Sequence, residues 1–180
     1  MSPARVLDRS RAALVVVDVQ EAFRNVVLDF ERVAAAAAVL AQGARILEVP
    51  VVLTEQYPRG LGKTVPELAQ HLDGVHPVEK TVFSAAAADG FALDGRDQVL
   101  VCGIESHVCV SQTAHDLLDS GVEVHVARDA VSSRTEENRE AGLHKMEGSG
   151  AILTSVETAL FELVGEAGSE EFKQVQGLVK

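Results

Sequence analysis

Two runs in this chain are apolar without alternation, Ala12-Ala-Leu-Val-Val-Val17 and Val99-Leu-Val-Cys102. A strand with one face in water alternates apolar and polar residues. An unbroken run therefore predicts a strand covered on both faces, as in a parallel sheet. Val51-Val-Leu-Thr54, Val122-Glu-Val-His-Val-Ala127 and Ala151-Ile-Leu-Thr154 read as further strands. Val75-His-Pro-Val-Glu-Lys80 reads as an irregular third strand, placed at an edge by Pro77. Between the strands lie helix-forming segments: Phe30 to Glu48, Val65 to Leu72, Ala85 to Leu93, Val108 to Ser120, Glu136 to Glu147 and Val156 to Val164. This alternation predicts a three-layer α/β/α fold around a doubly wound, mainly parallel, Rossmann-like sheet of about six strands. The 180 residues fit one domain, 1–180, with a core from Ala12 to Val164 and a polar, peripheral tail after Gly165.

Sheets of this kind bind ligands beyond the carboxyl ends of their strands, where the strand order reverses. Chemistry-bearing residues collect at those ends. Asp18 directly follows the first strand, where a carboxylate needs a partner or serves as a cap, and Gln20 and Phe23 lie just beyond it. Gln56 and Tyr57 leave the second strand in the loop Glu55 to Lys63, either lining a pocket or simply connecting in solvent. Lys80 ends the third strand ahead of Thr81-Val-Phe83, and its bland alternative is a solvated charge. The fourth strand is expected to turn sharply at Gly103 into a helix whose first turn carries Cys109. Free backbone N–H groups and the positive helix end would favour a thiolate there, and thiolate is the nucleophile. If the first strand lies beside the fourth, Asp18 and Cys109 flank one crevice, while Lys80 must reach across an intervening strand.

Composition narrows the partners. A net charge of −11 argues against nucleic acid and anionic membranes. The start Met1-Ser-Pro-Ala-Arg-Val-Leu-Asp has no apolar signal region, and no apolar run reaches transmembrane length, so a cytoplasmic setting is expected. Two cysteines do not make a disulfide framework. Cys102 reads as a core residue on its strand, and a Cys102–Cys109 redox pair would need restrictive geometry. His107, two residues from Cys109, points elsewhere on a helix and reads as a pocket-edge or interface residue rather than a dyad partner. Arg128, Asp129 and Arg134 read as substrate-binding or interface residues. No glycine-rich phosphate loop follows the first strand, so no dinucleotide is expected.

Three separated pieces carry a resemblance: Leu14-Val-Val-Val-Asp18-Val-Gln20, Lys80 ahead of Thr-Val-Phe83, and Cys102-Gly-Ile-Glu-Ser-His-Val-Cys109-Val110. Together they resemble the isochorismatase-like cysteine hydrolase superfamily. Thr54-Glu-Gln-Tyr-Pro58 and Asp129-Ala-Val-Ser-Ser-Arg134 are similar to the branch of isochorismatase domain-containing proteins. The resemblance implies a triad of Asp18, Lys80 and Cys109, a cis peptide between Ile104 and Glu105, and an oxyanion hole from the Glu105 and Cys109 amides. It also implies a small-molecule substrate and a homo-oligomer. The nicotinamidase branch carries an Asp/His metal cluster after the second strand. Here that stretch offers only Glu55, so no metal and no cofactor are expected. The expected activity is metal-independent hydrolysis of a small amide or related acyl compound, with Gln20, Phe23, Gln56, Tyr57 and Phe83 as substrate-binding candidates. A scaffold role without catalysis and a redox-sensing thiol are the alternatives.

Overall fold

A computed structural model describes residues 5–180 of the chain. In chain order the elements are β1 (Ala12–Val17), α1 (Phe30–Ile46), β2 (Val51–Gln56), α2 (Pro58–Leu61), α3 (Pro66–Ala69), β3 (Val78–Lys80) and β4 (Gln98–Ile104). They continue with α4 (Ser111–Asp119), β5 (Glu123–Ser132), α5 (Glu136–Gly148), β6 (Ile152–Thr154), α6 (Val156–Val164) and α7 (Glu170–Leu178). The sheet order is β3-β2-β1-β4-β5-β6, and every neighbouring pair is parallel.

The unbroken apolar run of β1 has its explanation in this order. Leu14 and Val16 pack into the core under α1, α6 and α7, and Val15 and Val17 into the core under α4 and α5. With both faces covered, no position of β1 is left for a polar side chain, and all six residues are buried. β1 and β4 are the two central strands, and the chain winds outward from them in opposite directions. The crevice at their carboxyl ends is thus the switch point expected to receive a ligand. Pro77 does precede an edge strand, although β3 shortens to three residues.

Other expectations are corrected. The helix expected over Ala85 to Leu93 is a single 3₁₀ turn, Ala85–Ala87, and Gly90 at φ 89° ends any continuation. Alanines favour helix, but one short segment with so little surface to bury cannot offset nucleation. β5 runs on past Ala127, where the strand was expected to end, to Ser132, with a register shift against β4 between Val101 and Gly103. The tail forms α7, N-capped by the Ser169 side chain accepting from Phe172 N–H at 3.0 Å and seated by buried Val175. Among the described residues, no helix is long and apolar enough to cross a membrane.

Gly103 does not turn the chain; it lies inside β4 at φ 119°. A Cβ on it would sit 2.0 Å from the Val17 carbonyl oxygen. Glycine therefore lets the central strand pair close at the point where both reach the site. Gly103→Ala is expected to lower stability by about 3 kcal/mol or more, from the positive φ and the backbone clash together. Chemical denaturation of the variant against the wild type measures it, and an unchanged midpoint would contradict this account.

Candidate active site

Asp18 directly follows β1 with φ 54°, a left-handed conformation that Asp tolerates better than most residues. Its carboxylate is buried, so both oxygens need donors. Thr54, opposite the strand end on β2, donates its hydroxyl to Oδ1 at 2.7 Å, and Lys80 donates from Nζ to Oδ2 at 2.8 Å. Lys80 belongs to β3, so its side chain spans β2 to arrive there.

The ammonium is as enclosed as its partner, with side-chain exposures of 0% and 1% for Lys80 and Asp18. Besides Asp18, Nζ donates to Gln56 Oε1 at 2.6 Å and to the Phe83 carbonyl at 2.9 Å, with the Val82 carbonyl at 3.3 Å. An ammonium has three N–H bonds, so this shell leaves none free. Lys80 thus acts on its surroundings through charge.

Cys109 reaches the same place from β4. The peptide joining Ile104 to Glu105 is cis, and Ser106–Val110 make a π-helical turn that leads into α4. Gly142 on α5 permits the close packing of this turn, because a Cβ there would lie 2.6 Å from the Ser106 carbonyl oxygen. Thr113, one turn after Cys109, donates its hydroxyl to the Cys109 carbonyl at 2.7 Å and accepts the Ala85 N–H at 2.8 Å. The segment after β3 is thereby fastened at one end to the Lys80 ammonium and at the other to the backbone of Cys109.

The thiol departs from expectation. Burial, then the Asp18 charge, pushes the Cys109 thiol up to about 12, against an opposing pull from Lys80. Desolvation and the neighbouring carboxylate both disfavour a thiolate here, and the ammonium opposes them. Asp18 and Lys80 both bear on it directly. Cys102 is also a free thiol pushed up to about 12 by burial. It packs in the core on the opposite face of the sheet from Cys109, which removes the geometry for a redox pair.

Of the substrate-binding candidates, Gln20 and Gln56 lie buried with their amides engaged by the protein. Gln20 donates to the Gln56 carbonyl at 2.9 Å and the Gly62 carbonyl at 2.8 Å, and accepts from Gln56 N–H at 2.7 Å. Gln56 donates from Nε2 to the Thr81 carbonyl at 2.9 Å. Phe23 follows Gln20 in a 3₁₀ turn, partly buried against the core. Tyr57 and Phe83 expose about half of their surface, 54% and 51%. Tyr57 lines an open cleft of about 380 Å³ with Pro58, Arg59, Glu79, Lys80 and Thr81; neither Asp18 nor Cys109 lines it.

Glu55 is also engaged, accepting from Thr64 N–H at 2.7 Å and Lys63 Nζ at 3.3 Å. Among the described residues, no three His, Cys, Asp or Glu side chains converge as a metal-ligand group. Glu105 accepts from both the backbone N–H and Nε of Arg134 at 3.0 Å, which ties the loop after β5 to the residue following the cis bond. Asp129 instead accepts the Val156 N–H at the start of α6, at 2.9 Å. His107 shares a hydrogen bond with Ser133 at 2.9 Å. Thr54 and Thr113 were not foreseen. The only sequence signal for Thr113 was its place four residues after Cys109, where a hydroxyl can reach the preceding turn's carbonyl.

The sequence pattern of the isochorismatase domain matches residues 12–158. The chain is 46% identical to human isochorismatase domain-containing protein 2 over 182 aligned positions, covering 99% of this chain and 87% of that protein. The structure of the MAR1 ribonuclease from Caenorhabditis elegans superimposes with a TM-score of 0.91 at 40% identity, covering 97% of this chain and 92% of that one. YcaC from Pseudomonas aeruginosa, described with hexane-2,5-diol and covalent acrylamide, does so at 0.88 and 25% identity, covering 99% and 93%. The conjunction of this sheet, these strand-end residues and these similarities means that the chain belongs to the isochorismatase-like hydrolase superfamily, in the branch of the isochorismatase domain-containing proteins.

Proposed function

We propose that this chain is a cysteine hydrolase that cleaves a C–N bond of a small amide or related acyl compound through a thioester, without metal or organic cofactor. The observation that carries the reading is the buried Asp18–Lys80 pair acting on the Cys109 thiol. The thiol proton passes to Asp18 as the sulfur bonds the carbonyl carbon. The oxygen that becomes negative is held by the Glu105 and Cys109 amides. As the C–N bond breaks, Asp18 returns the proton to the leaving nitrogen. Water then attacks the thioester, Asp18 takes its proton, the C–S bond breaks, and the same proton restores the thiol. The carboxylate serves as base and acid in turn, and Lys80 keeps its charge compensated at each stage.

The shell around Lys80 favours a neutral substrate. With every N–H engaged by the protein, the ammonium has none to give to a substrate carboxylate or phosphate. The net charge of −11 likewise disfavours a polyphosphate chain, although the Caenorhabditis elegans neighbour is described as a ribonuclease. Covalent acrylamide in the Pseudomonas YcaC structure fits a nucleophile open to an amide-sized electrophile. Phe23 and Phe83 are the side chains we assign to the substrate's apolar part. Gln20 and Gln56 support the site from behind. Four of the exposed large apolar residues, Val26, Leu28, Val82 and Phe83, lie on loops following β1 and β3, which suits a homo-oligomer closing around that rim; Val6 lies ahead of β1.

Cys109→Ala should abolish turnover in a screen of small amides while lowering stability by only about 1–2 kcal/mol. Lys80→Ala should abolish turnover and also cost about 3–5 kcal/mol, because it strands a buried carboxylate. Substantial turnover by Cys109→Ala would remove the mechanism, whereas a wild-type protein that turns over no small amide would favour a scaffold role.

Asp18→Asn separates thiolate formation from catalysis. The carboxylate raises the thiol from its ordinary value and Lys80 lowers it, so removing the carboxylate leaves the ammonium unopposed. Ultraviolet titration of Cys109, taken as the difference from the matching Cys109→Ala proteins, should give a lower midpoint for Asp18→Asn than for the wild type, while turnover falls. An unmoved or higher midpoint would contradict the assignment of Asp18.

A further inference from the structure

Gln56 is buried and tied down at four points, one of them its carbonyl, which accepts from Gln20 Nε2 at 2.9 Å. Its N–H is accepted by Gln20 at 2.7 Å, its Nε2 donates to the Thr81 carbonyl at 2.9 Å, and its Oε1 accepts from Lys80 at 2.6 Å. The Thr81 bond decides which way the amide faces: a flipped amide would set its oxygen against a carbonyl and its N–H against an ammonium. Lys80 therefore always meets a neutral oxygen here. A carboxylate in the same place would compete with Asp18 for the ammonium and add a second negative charge beside the thiol.

We propose that Gln56 is a positioning residue of the Cys109 site, whose neutral, orientation-locked oxygen aims the Lys80 ammonium at Asp18 while leaving its whole charge to that carboxylate and the sulfur. The inference rests on the hydrolase reading above. The charged and titratable groups around Gln56 are Asp18, Lys80 and Cys109 toward the site, with Tyr57 and Glu55 beside it on the chain and Glu79 beside Lys80. Glu55 and Glu79 are both paired with Lys63, which holds their charges away from the crevice.

The test uses acrylamide as probe, with alkylation of Cys109 followed by mass spectrometry. In this reaction the sulfur bonds the terminal alkene carbon, and a proton ends on the carbon next to the amide. Gln56→Glu should be alkylated at least roughly tenfold more slowly than wild type at about pH 8, with the introduced carboxyl ionised. Its proton, once bound, would bridge to the Thr81 carbonyl and recreate the neutral arrangement. The ratio of variant to wild-type rates should therefore climb toward unity as pH falls to about 5.

A purely structural role predicts a ratio that stays constant with pH. Such a constant ratio, in a variant with the wild-type circular dichroism spectrum, would overturn the proposal. If Gln56→Glu does not fold, Gln56→Met decides. A roughly tenfold loss in a variant with the wild-type circular dichroism spectrum and denaturation midpoint supports the positioning role, and a wild-type rate overturns it. Wild-type protein that acrylamide never labels at Cys109 would bring down the hydrolase reading itself, a result distinct from either.

Discussion

The ion pair between Asp18 and Lys80 is the interaction on which the site depends. Two opposite charges are enclosed among the ends of β1, β2 and β3, away from water. Such a pair is weak evidence of stabilisation, since withdrawing both charges from solvent costs several kcal/mol per ion. What makes it tenable is full hydrogen bonding: Thr54 on the other carboxylate oxygen, and Gln56 with the Phe83 carbonyl on the ammonium. The arrangement is better understood as machinery held in place by the fold than as a support of it. The sheet provides two covered faces, a strand order that reverses between β1 and β4, and a glycine that lets those strands meet.

Much of this was legible from residue types alone. Unbroken valine-rich runs announce a parallel sheet because alternation is pointless where both faces are dry. Pro77 announces an edge because it cannot donate into a ladder. Once the strand order was assumed, Asp18 fell beside the Cys109 turn without further information. The reach of Lys80 across β2 was harder, since a lysine at a strand end looks the same whether it is solvated or enclosed.

The misreadings have local causes. Gly103 looked like a turn because glycine marks turns, whereas its missing Cβ answers the Val17 carbonyl on a strand far away in sequence. Gln20 and Gln56 read as ligand contacts because polar residues at strand ends usually face a crevice. What no local pattern reveals is that their amides also meet the protein's own groups, backbone carbonyls and N–H for Gln20, the Thr81 carbonyl and the Lys80 ammonium for Gln56. A helix start that favours a thiolate is visible in sequence, and the desolvation that opposes it is not. The cis bond after Ile104 left no trace in composition and entered only by resemblance.

The ammonium's grip on the carbonyls of Val82 and Phe83 separates two things that enzymes often have entangled. Lys80 holds the main chain of that segment and nothing of its side chains, which project to the surface. Those two positions can accordingly be redressed with other side chains while the charge that serves the sulfur stays where it is. On the hydrolase reading proposed above, a lineage could in this way exchange one substrate preference for another at the rim and inherit its chemistry unaltered.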